Sequence, residues 1–521
     1  MASFVRRDHQ YVLDHLGRPL ILQGVGLNGW LLPEGYMFKS VREINRPRHF
    51  YAWTEELLGK KDSDTFWEAF RDRFITEEDI KWIKSEGYNS VRVPFDYAVL
   101  FEESETEETL KPKASGFRFL DRLIAWCHDH EVYVILDLHG APGGQTGANI
   151  DNSKADHPDL FVNEIYQKQT INLWTFLANR YKDEVFVAAY DLLNEPLPNH
   201  FKMYNDKLVP LYEKIIKGIR NVDPYHMIQL EGTHWATEVD VFDRLLDDNS
   251  MIHFHKYWSP FDTKSIQPYL DIREKLDIPL IMGEGGEHYL LWYSGAFKLF
   301  HEWQIGFNFW SYKKMSTDNS LVSFDEPALW QSVLKKDPSL TKEEIEETFE
   351  TFLKMIDFTS CTYLPHVTNH LMLKDSFESF GIGFDVDKKR ITSYIDQEPE
   401  KRSFRKSEDV MCVDHQGKEM TPNFWMSLRP GKNTKFPYLK VQKNREYPYS
   451  FYVSEKKSTI QIKIQHQGFT SGEFKVDGQI HEPNYQGNRV IKLKVKLNQG
   501  WHRITVKCLD EAMIKIISFT S

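Results

Sequence analysis

Two carboxylates fall where a folded chain can use them for chemistry. Glu195 sits in 188-AAYDLLNEPLP-198, an apolar run broken at Asn194-Glu195-Pro196, and Glu284 sits in 283-GEGGE-287 after 278-IPLIM-282. A carboxylate at the edge of a core is either a helix-start device or a reactive group. Held about 5 to 5.5 Å apart, two of them can cleave a glycosidic bond with retention: one attacks the anomeric carbon while the other protonates the leaving oxygen. Their mutual repulsion raises one pKa, which keeps the acid protonated near neutral pH.

Other residues suit the same chemistry. Asn194, next to the acid, fits a sugar 2-hydroxyl, and Arg92 in 91-VRVPF-95 with Tyr257 in 253-HFHKYW-258 fit an ionised nucleophile. His139 closes 137-DLHG-140, His255 belongs to the His-x-His of strand six, and Trp310 ends 305-IGFNFW-310 as a flat apolar face for a sugar ring. Trp30, Trp235, Trp258 and Tyr312 follow strand-like runs and are either stacking platforms or loop-anchoring core aromatics. Glu231 and His234, closing strand five, are placed to touch hydroxyls at a pocket rim. Taken singly each residue has a plainer reading as a cap, a surface ion pair or core. A shared architecture makes them a set.

That architecture is legible in the periodicity. Strand-like runs at Pro19 to Gly26, Ser90 to Val93, 132–139, 186–193, 226–231, 250–255, 278–284 and 305–310 alternate with helical patterns at Thr76 to Gly87, Gly116 to His130, 163–181, 204–222 and 290–304, and helical stretches at 329–336 and 342–356 follow. Eight strands in alternation with helical segments predict a (β/α)8 barrel over 1–395, and a barrel gathers strand C-terminal ends into one pocket. A doubly wound sheet would carry a Gly-rich phosphate turn, and 140-GAPGGQTG-147 does not lead into a helix in that register. The charged stretch 396-DQEPEKRSFRKSED-409 reads as a linker or surface crossing. Period-two runs at 459–466, 473–480, 489–497, 501–509 and 513–519 then predict a C-terminal antiparallel β-sandwich within 410–521.

Bulk properties narrow the partners. A net charge of -11 argues against nucleic acid, and a mean hydropathy of -0.51 with no apolar run near membrane length argues against a membrane span. The start, MASFVRRDHQYVLDHLGRPL, lacks the apolar core of a secretory signal, and four cysteines outside any CxxC spacing read as reduced thiols, so a cytoplasmic protein is expected unless a leader was removed. His253 and His255 share one strand face, as a metal half-site or as packing, with no Cys or acid beside them; no metal or cofactor is expected.

The ordered set VRVP, DLHG, LNEP, HxY, GE and a strand-eight Trp resembles glycoside hydrolase family 5 over residues 20 to about 330. The resemblance implies a retaining barrel enzyme with Glu195 as acid/base and Glu284 as nucleophile, and places Arg92, His139, Asn194, His255, Tyr257 and Trp310 in its active site. The segments 24-GVGLNGWLLPE-34 and 140-GAPGGQTGANIDNS-153 are similar to the branch of exo-acting β-1,3-glucanases and β-glucosidases, which implies a β-glucoside or β-glucan oligosaccharide as substrate. Endo-acting β-glucanases or β-mannanases and glycolipid-cleaving enzymes of the same family are the alternatives, as is a carbohydrate-binding protein on a hydrolase scaffold. The sandwich resembles carbohydrate-binding modules in outline, and a packing domain that shields or completes the barrel is the alternative. Two departures from the family stand out: an insertion from Tyr36 to Phe74, and Glu287, a second acid in GEGGE and a rival nucleophile.

Overall fold

The computed structural model describes residues 4–288, 290–372, 384–385, 390–391, 411–413, 438–441, 443–444, 446–486 and 490–520. The expected linker at 396–409 lies outside the described residues. Two compact units are present: the first comprises Met1–Tyr257, Gln267–Glu287 and Trp303–Leu364, the second Trp258–Ile266, His288–Glu302 and Pro365–Ser521.

In the first unit eight parallel strands close into a barrel, as the alternation predicts: Gln23–Gly26, Ser90–Asp96, Tyr133–Gly140, Val187–Asp191, Met227–Glu231, Ser250–His255, Leu280–Gly286 and Gly306–Trp310, here strands one to eight, each paired with its sequence neighbours and strand eight with strand one. Buried on both faces, these strands read as continuous apolar runs with polar interruptions. The interruptions line the barrel interior. Along strand three Ile135, Asp137 and His139 alternate inward, and along strand six Met251, His253 and His255 do the same. Ile135, Ala189, Met227, Met251 and Ile281 form an apolar floor, continued by Val5 and Val12 of the N-terminal hairpin. Polar side chains occupy the levels above that floor, toward the C-terminal ends of the strands.

Two glycines make room for this filling. A Cβ on Gly283 would lie 1.5 Å from His253 Nε2, and one on Gly26 would lie 2.6 Å from the Trp310 ring.

Helices follow the apolar period with their caps in place. Thr76 and Asp79 form a capping box before Glu77–Ser85, the Asn163 side chain caps Glu164–Tyr181, and Thr341 with Glu344 caps Lys342–Met355. One βα unit departs from expectation. After strand five only Thr233–Ala236 is helical, and His234 and Trp235 there have φ of 53° and 60°, so the chain turns back at once instead of building a helix. The insertion after strand one folds into helices Pro47–Leu58 and Lys60–Phe74, whose Phe50, Trp53, Phe66, Trp67 and Phe70 pack against one another and against Trp330, Phe349 and Phe352.

In the second unit Leu290–Glu302 packs beside Pro365–Leu371, with His301 Nε2 3.0 Å from the Leu371 carbonyl. Sequence order places that first helix in the barrel region, yet it groups with the C-terminal residues. From Met411 onward the described strands pair with one another antiparallel and are consistent with the expected β-sandwich. The runs at 489–497 and 501–509 are one strand, Val490–Cys508, paired along most of its length with Glu446–Gln467. The run at 473–480 is instead a hairpin turned at Asp477-Gly478, where φ is 49° and 80°. Alternate residues Ile462 and Ile464, Leu493 and Val495, and Ile504 and Val506 are buried.

Candidate active site

Arg92 is the centre of the barrel's polar filling. Fully buried on strand two, its guanidinium reaches five groups on four other strands or their ends. Nε donates to Asp191 at 2.8 Å; Nη2 donates to Asn194 Oδ1 at 2.9 Å and Glu231 at 3.0 Å and lies 3.1 Å from Asp137; Nη1 donates to Glu284 Oε1. Only a planar fork with five N–H donors can serve such a set. Glu231, His253 and His255 also bring possible ligand atoms within 4.8 Å of one another, and the cation already among these acids is Arg92.

The chain brings Glu195 into this setting through an irregular strand end. Strand four stops pairing at Asp191; Leu192 N–H then bonds Gln229 O on one side and Asn194 N–H bonds Leu138 O on the other. Glu195 turns left-handed at φ 47°, unusual for a residue with a Cβ, and Pro196 follows. Gln145, from the glycine-rich loop, braces the turn: its side chain donates to the carbonyls of His139 at 2.7 Å and Asn194 at 2.9 Å, and its own carbonyl accepts from Leu197 N–H at 3.1 Å. Asp151 in turn fixes the loop by accepting from the backbone of Thr146, Gly147 and Ser153. This loop positions the turn, a role beyond the absent phosphate turn and the likeness to the exo-acting branch that its sequence offers.

The two carboxylates meet at His255. Its Nδ1 lies 2.7 Å from Glu195 Oε1 and 3.7 Å from Glu284 Oε2, and oxygens of Glu195 and Glu284 fall within 4.8 Å of each other. Tyr257 OH donates to Glu284 Oε2 at 2.9 Å, so the two oxygens of Glu284 have separate donors. Burial pushes the Glu284 pKa upward, but His255, Arg92 and His139 together with the tyrosine hydroxyl outweigh it and hold the group below the usual carboxylate range. Burial disfavours charge on His255; the carboxylates of Glu231, Glu284 and Glu195 override it and raise the ring's pKa well above its ordinary value. Behind it, His253 Nε2 is 3.1 Å from His255 Nε2, and His253 Nδ1 is 3.1 Å from both Asp191 and Gln229. Burial also raises Glu231, aided by Asp191 and opposed by His253 and His255.

His139 receives its orientation from Asp137 at 2.7 Å, stacks parallel to Trp310 at 5.7 Å between ring centres, and lies 3.2 Å from Asn194 Nδ2. Trp310 Nε1 donates to Tyr36 OH at 2.8 Å. Glu34, buried in the segment that follows strand one, is pushed up to about 8, by burial first and by Glu284, Glu287 and Glu195 against His139. Arg92, His139, Asn194, Glu195, His255, Tyr257, Glu284 and Trp310 are thus brought together.

The remaining expected contacts fall elsewhere. Trp30 is fully buried and its Nε1 donates to the Arg71 carbonyl at 2.8 Å, and Tyr312 is spent on Asp79 at 2.6 Å; both anchor loops. Trp258 belongs to the second unit, where its ring lies 4.7 Å from that of His288 and 56% of the residue is exposed. Glu231 sits beneath the site with no exposure, not on a rim, while His234 Nε2 lies 3.1 Å from Asn199. Glu287 is paired with Lys314 at 2.7 Å and has neither Arg92 nor Tyr257 as a partner. Asp137, Asp191 and His253, the last of them read from sequence as a metal half-site or as packing, join Gln145 and Glu34 as residues around the site to which motif reading gave no place in it. For the first three the signal was present: each stands at a period-two position inward of a recognised residue or strand.

Residues 54–315, half of the chain, match the model of Cellulase (glycosyl hydrolase family 5). The chain belongs to glycosyl hydrolase family 5. Among relatives of this family-5 chain, a β-xylosidase of Phanerodontia chrysosporium is 33% identical over 231 residues, 44% of this chain and 46% of the relative. Glucan 1,3-beta-glucosidase I/II of Saccharomyces cerevisiae is 31% identical over 244 residues, 42% and 52% of the two chains. Endoglucanase C of Acetivibrio thermocellus is 24% identical over 306 residues, 47% and 85%. The family-5 chain therefore spans about half the length of the first two relatives. Among its described residues no helix is long and apolar enough to cross a membrane.

Proposed function

We propose that this family-5 chain is a retaining β-glycosidase acting on β-linked glucosides or β-glucan oligosaccharides, with Glu284 as nucleophile and Glu195 as acid/base. The observation that carries this reading is the carboxylate spacing. An oxygen of Glu195 and an oxygen of Glu284 lie within 4.8 Å of each other, which supports the close pair of double displacement, about 5 to 5.5 Å between carboxyls, over the roughly 6.5 to 9.5 Å that leaves room for the water of inversion.

In the first step a Glu284 oxygen bonds the anomeric carbon as the glycosidic C–O bond breaks, and the leaving oxygen takes the Glu195 proton. In the second, Glu195 removes a proton from water, the water oxygen bonds the anomeric carbon, and Glu284 departs as carboxylate. Arg92 and Tyr257 hold the two nucleophile oxygens apart and ionised. Asn194, fixed through its Oδ1 by Arg92 and with its Nδ2 beside His139, has a second amide hydrogen for the sugar 2-hydroxyl. The names glucan 1,3-beta-glucosidase and endoglucanase support glucose as the sugar; β-xylosidase makes xylose the rival.

The test is turnover of aryl β-glucoside, β-xyloside, β-mannoside and cellobioside, with short β-glucans alongside. Release from the monoglucoside is expected; cleavage of long chains alone would make the protein endo-acting, and silence on every substrate would remove the reading. Glu195→Gln addresses the acid directly. It should slow glycosides of poorly acidic phenols by about 10²- to 10⁴-fold and those of strongly acidic phenols far less, because a good leaving group needs little protonation. An equal loss across the series would take Glu195 out of the acid role.

A further inference from the structure

We infer that Glu231 is a positioning residue for Glu195, fixing its left-handed backbone so that its carboxylate is held beside Glu284. The inference rests on the acid/base reading of Glu195 and goes beyond it in naming what aims that group. Glu231 Oε2 accepts the Glu195 backbone N–H at 2.6 Å, while Oε1 accepts from Arg92 Nη2 at 3.0 Å. Arg92 also donates to Glu284, so a single buried carboxylate ties the acid's backbone and the nucleophile's side chain to one frame.

The need for such a tie is visible in the backbone. At φ 47° Glu195 occupies a region that residues with a Cβ enter only when their surroundings impose it. Gln145 braces the carbonyl before Glu195 and the N–H of Leu197 after it; the N–H of Glu195 itself is held by Glu231. Glu231 is in turn anchored at strand five, where its backbone carbonyl accepts from Tyr212 OH at 2.9 Å. It has no exposure, so it acts through Glu195 and not on a sugar.

Two acceptor oxygens are required at once. A glutamine offers one acceptor and one NH2, which would face either the Glu195 N–H or the Arg92 guanidinium, donor against donor. The charged and titratable groups around the Glu231 carboxylate are Arg92 from strand two, Asp191 from strand four, and His253 and His255 from strand six. Arg92 and the two histidines present ring or guanidinium nitrogens, and Asp191 is held by Arg92 and His253 through its Oδ2, whereas the acceptor at the Glu195 N–H is Glu231 Oε2.

The experiment is a leaving-group series on the aryl β-glycoside the parent turns over best, run for the parent, Glu231→Gln, Glu195→Gln and the double variant, with thermal melts. Glu231→Gln should lower kcat by about 10- to 100-fold with KM within about 3-fold, and the loss should grow as the departing phenol becomes less acidic. In the Glu195→Gln background the same change should cost less than about 3-fold, because two residues acting as one unit are not additive. Uniform loss across leaving groups, or the full loss repeated in the double variant, would overturn the inference. Failure of the underlying reading is visible separately, as a Glu195→Gln variant insensitive to the leaving group. If Glu231→Gln does not fold, Glu231→Asp keeps the charge but withdraws the carboxylate by one methylene, and the same leaving-group dependence is expected of it.

Discussion

Glu284→Gln is expected to lower kcat on an aryl β-glucoside by at least about 10⁴-fold while KM stays within a few-fold. The amide is the same size and still accepts a hydrogen bond, so ground-state contacts with the sugar survive. Its neutral group is a poor nucleophile for the anomeric carbon, and its NH2 must face one of the two donors, Arg92 or Tyr257, that now hold the oxygens. The fold has reason to tolerate the change, since Arg92 keeps Asp137, Asp191 and Glu231 as counter-charges. Glu287→Gln is the matched control. Glu287 is held by Lys314 and has neither Arg92 nor Tyr257 as a hydrogen-bond partner, so activity should stay within about 3-fold of the parent. A Glu284→Gln enzyme with a tenth of parental activity, or a Glu287→Gln enzyme as impaired as its neighbour, would reverse the assignment; the kinetics of the purified pair decide it.

What could be read from the chain follows from the symmetry of the barrel. Strand ends gather whatever their separation in sequence, so residues as distant as Arg92, Glu195 and Glu284 could be placed in one site before any coordinates. What that rule does not give is depth. Glu231 also closes a strand and was expected on the rim, yet it points into the interior and bonds backbone and guanidinium. Asp137 and Asp191 were passed over as parts of apolar strands, because a buried acid is expected only beside a buried cation, and the reach of Arg92 is not visible in one dimension. Aromatic residues misled in the opposite sense. Trp30 and Tyr312 stand at loop starts like stacking platforms, but each has a buried polar partner, and partners far along the chain leave no local signal. The insertion of two helices was legible only as length, although its Phe and Trp residues recur at helical spacing once the helices are known.

Removing the central cation should have the largest effect on the fold itself. Arg92→Met keeps the length and most of the apolar stem but strips the charge from a point within hydrogen-bonding or ion-pairing distance of Asp137, Asp191, Glu231 and Glu284. Breaking a buried ion pair from one side costs about 3 to 5 kcal/mol, because the remaining charge is stranded in a low dielectric. Here several acids are stranded together, and the neighbouring histidines are their only other cationic partners among the described residues. A melting temperature well below that of the parent, or failure to accumulate as folded protein, is therefore expected. Arg92→Lys separates charge from geometry: an ammonium restores one positive charge but cannot fan to five acceptors, so folding should largely recover while activity does not. The pH profile gives the sign of the remaining effect. Arg92 is among the groups that pull the Glu284 pKa down against burial, so weakening that pull lets Glu284 protonate at a higher pH. In the proposed role of nucleophile Glu284 must be ionised, and the acid limb of kcat/KM in Arg92→Lys should then move upward in pH with a lower plateau. An acid limb that stays in place, with parental melting in Arg92→Met, would mean that the buried acids are neutral and that Arg92 is not what keeps Glu284 charged.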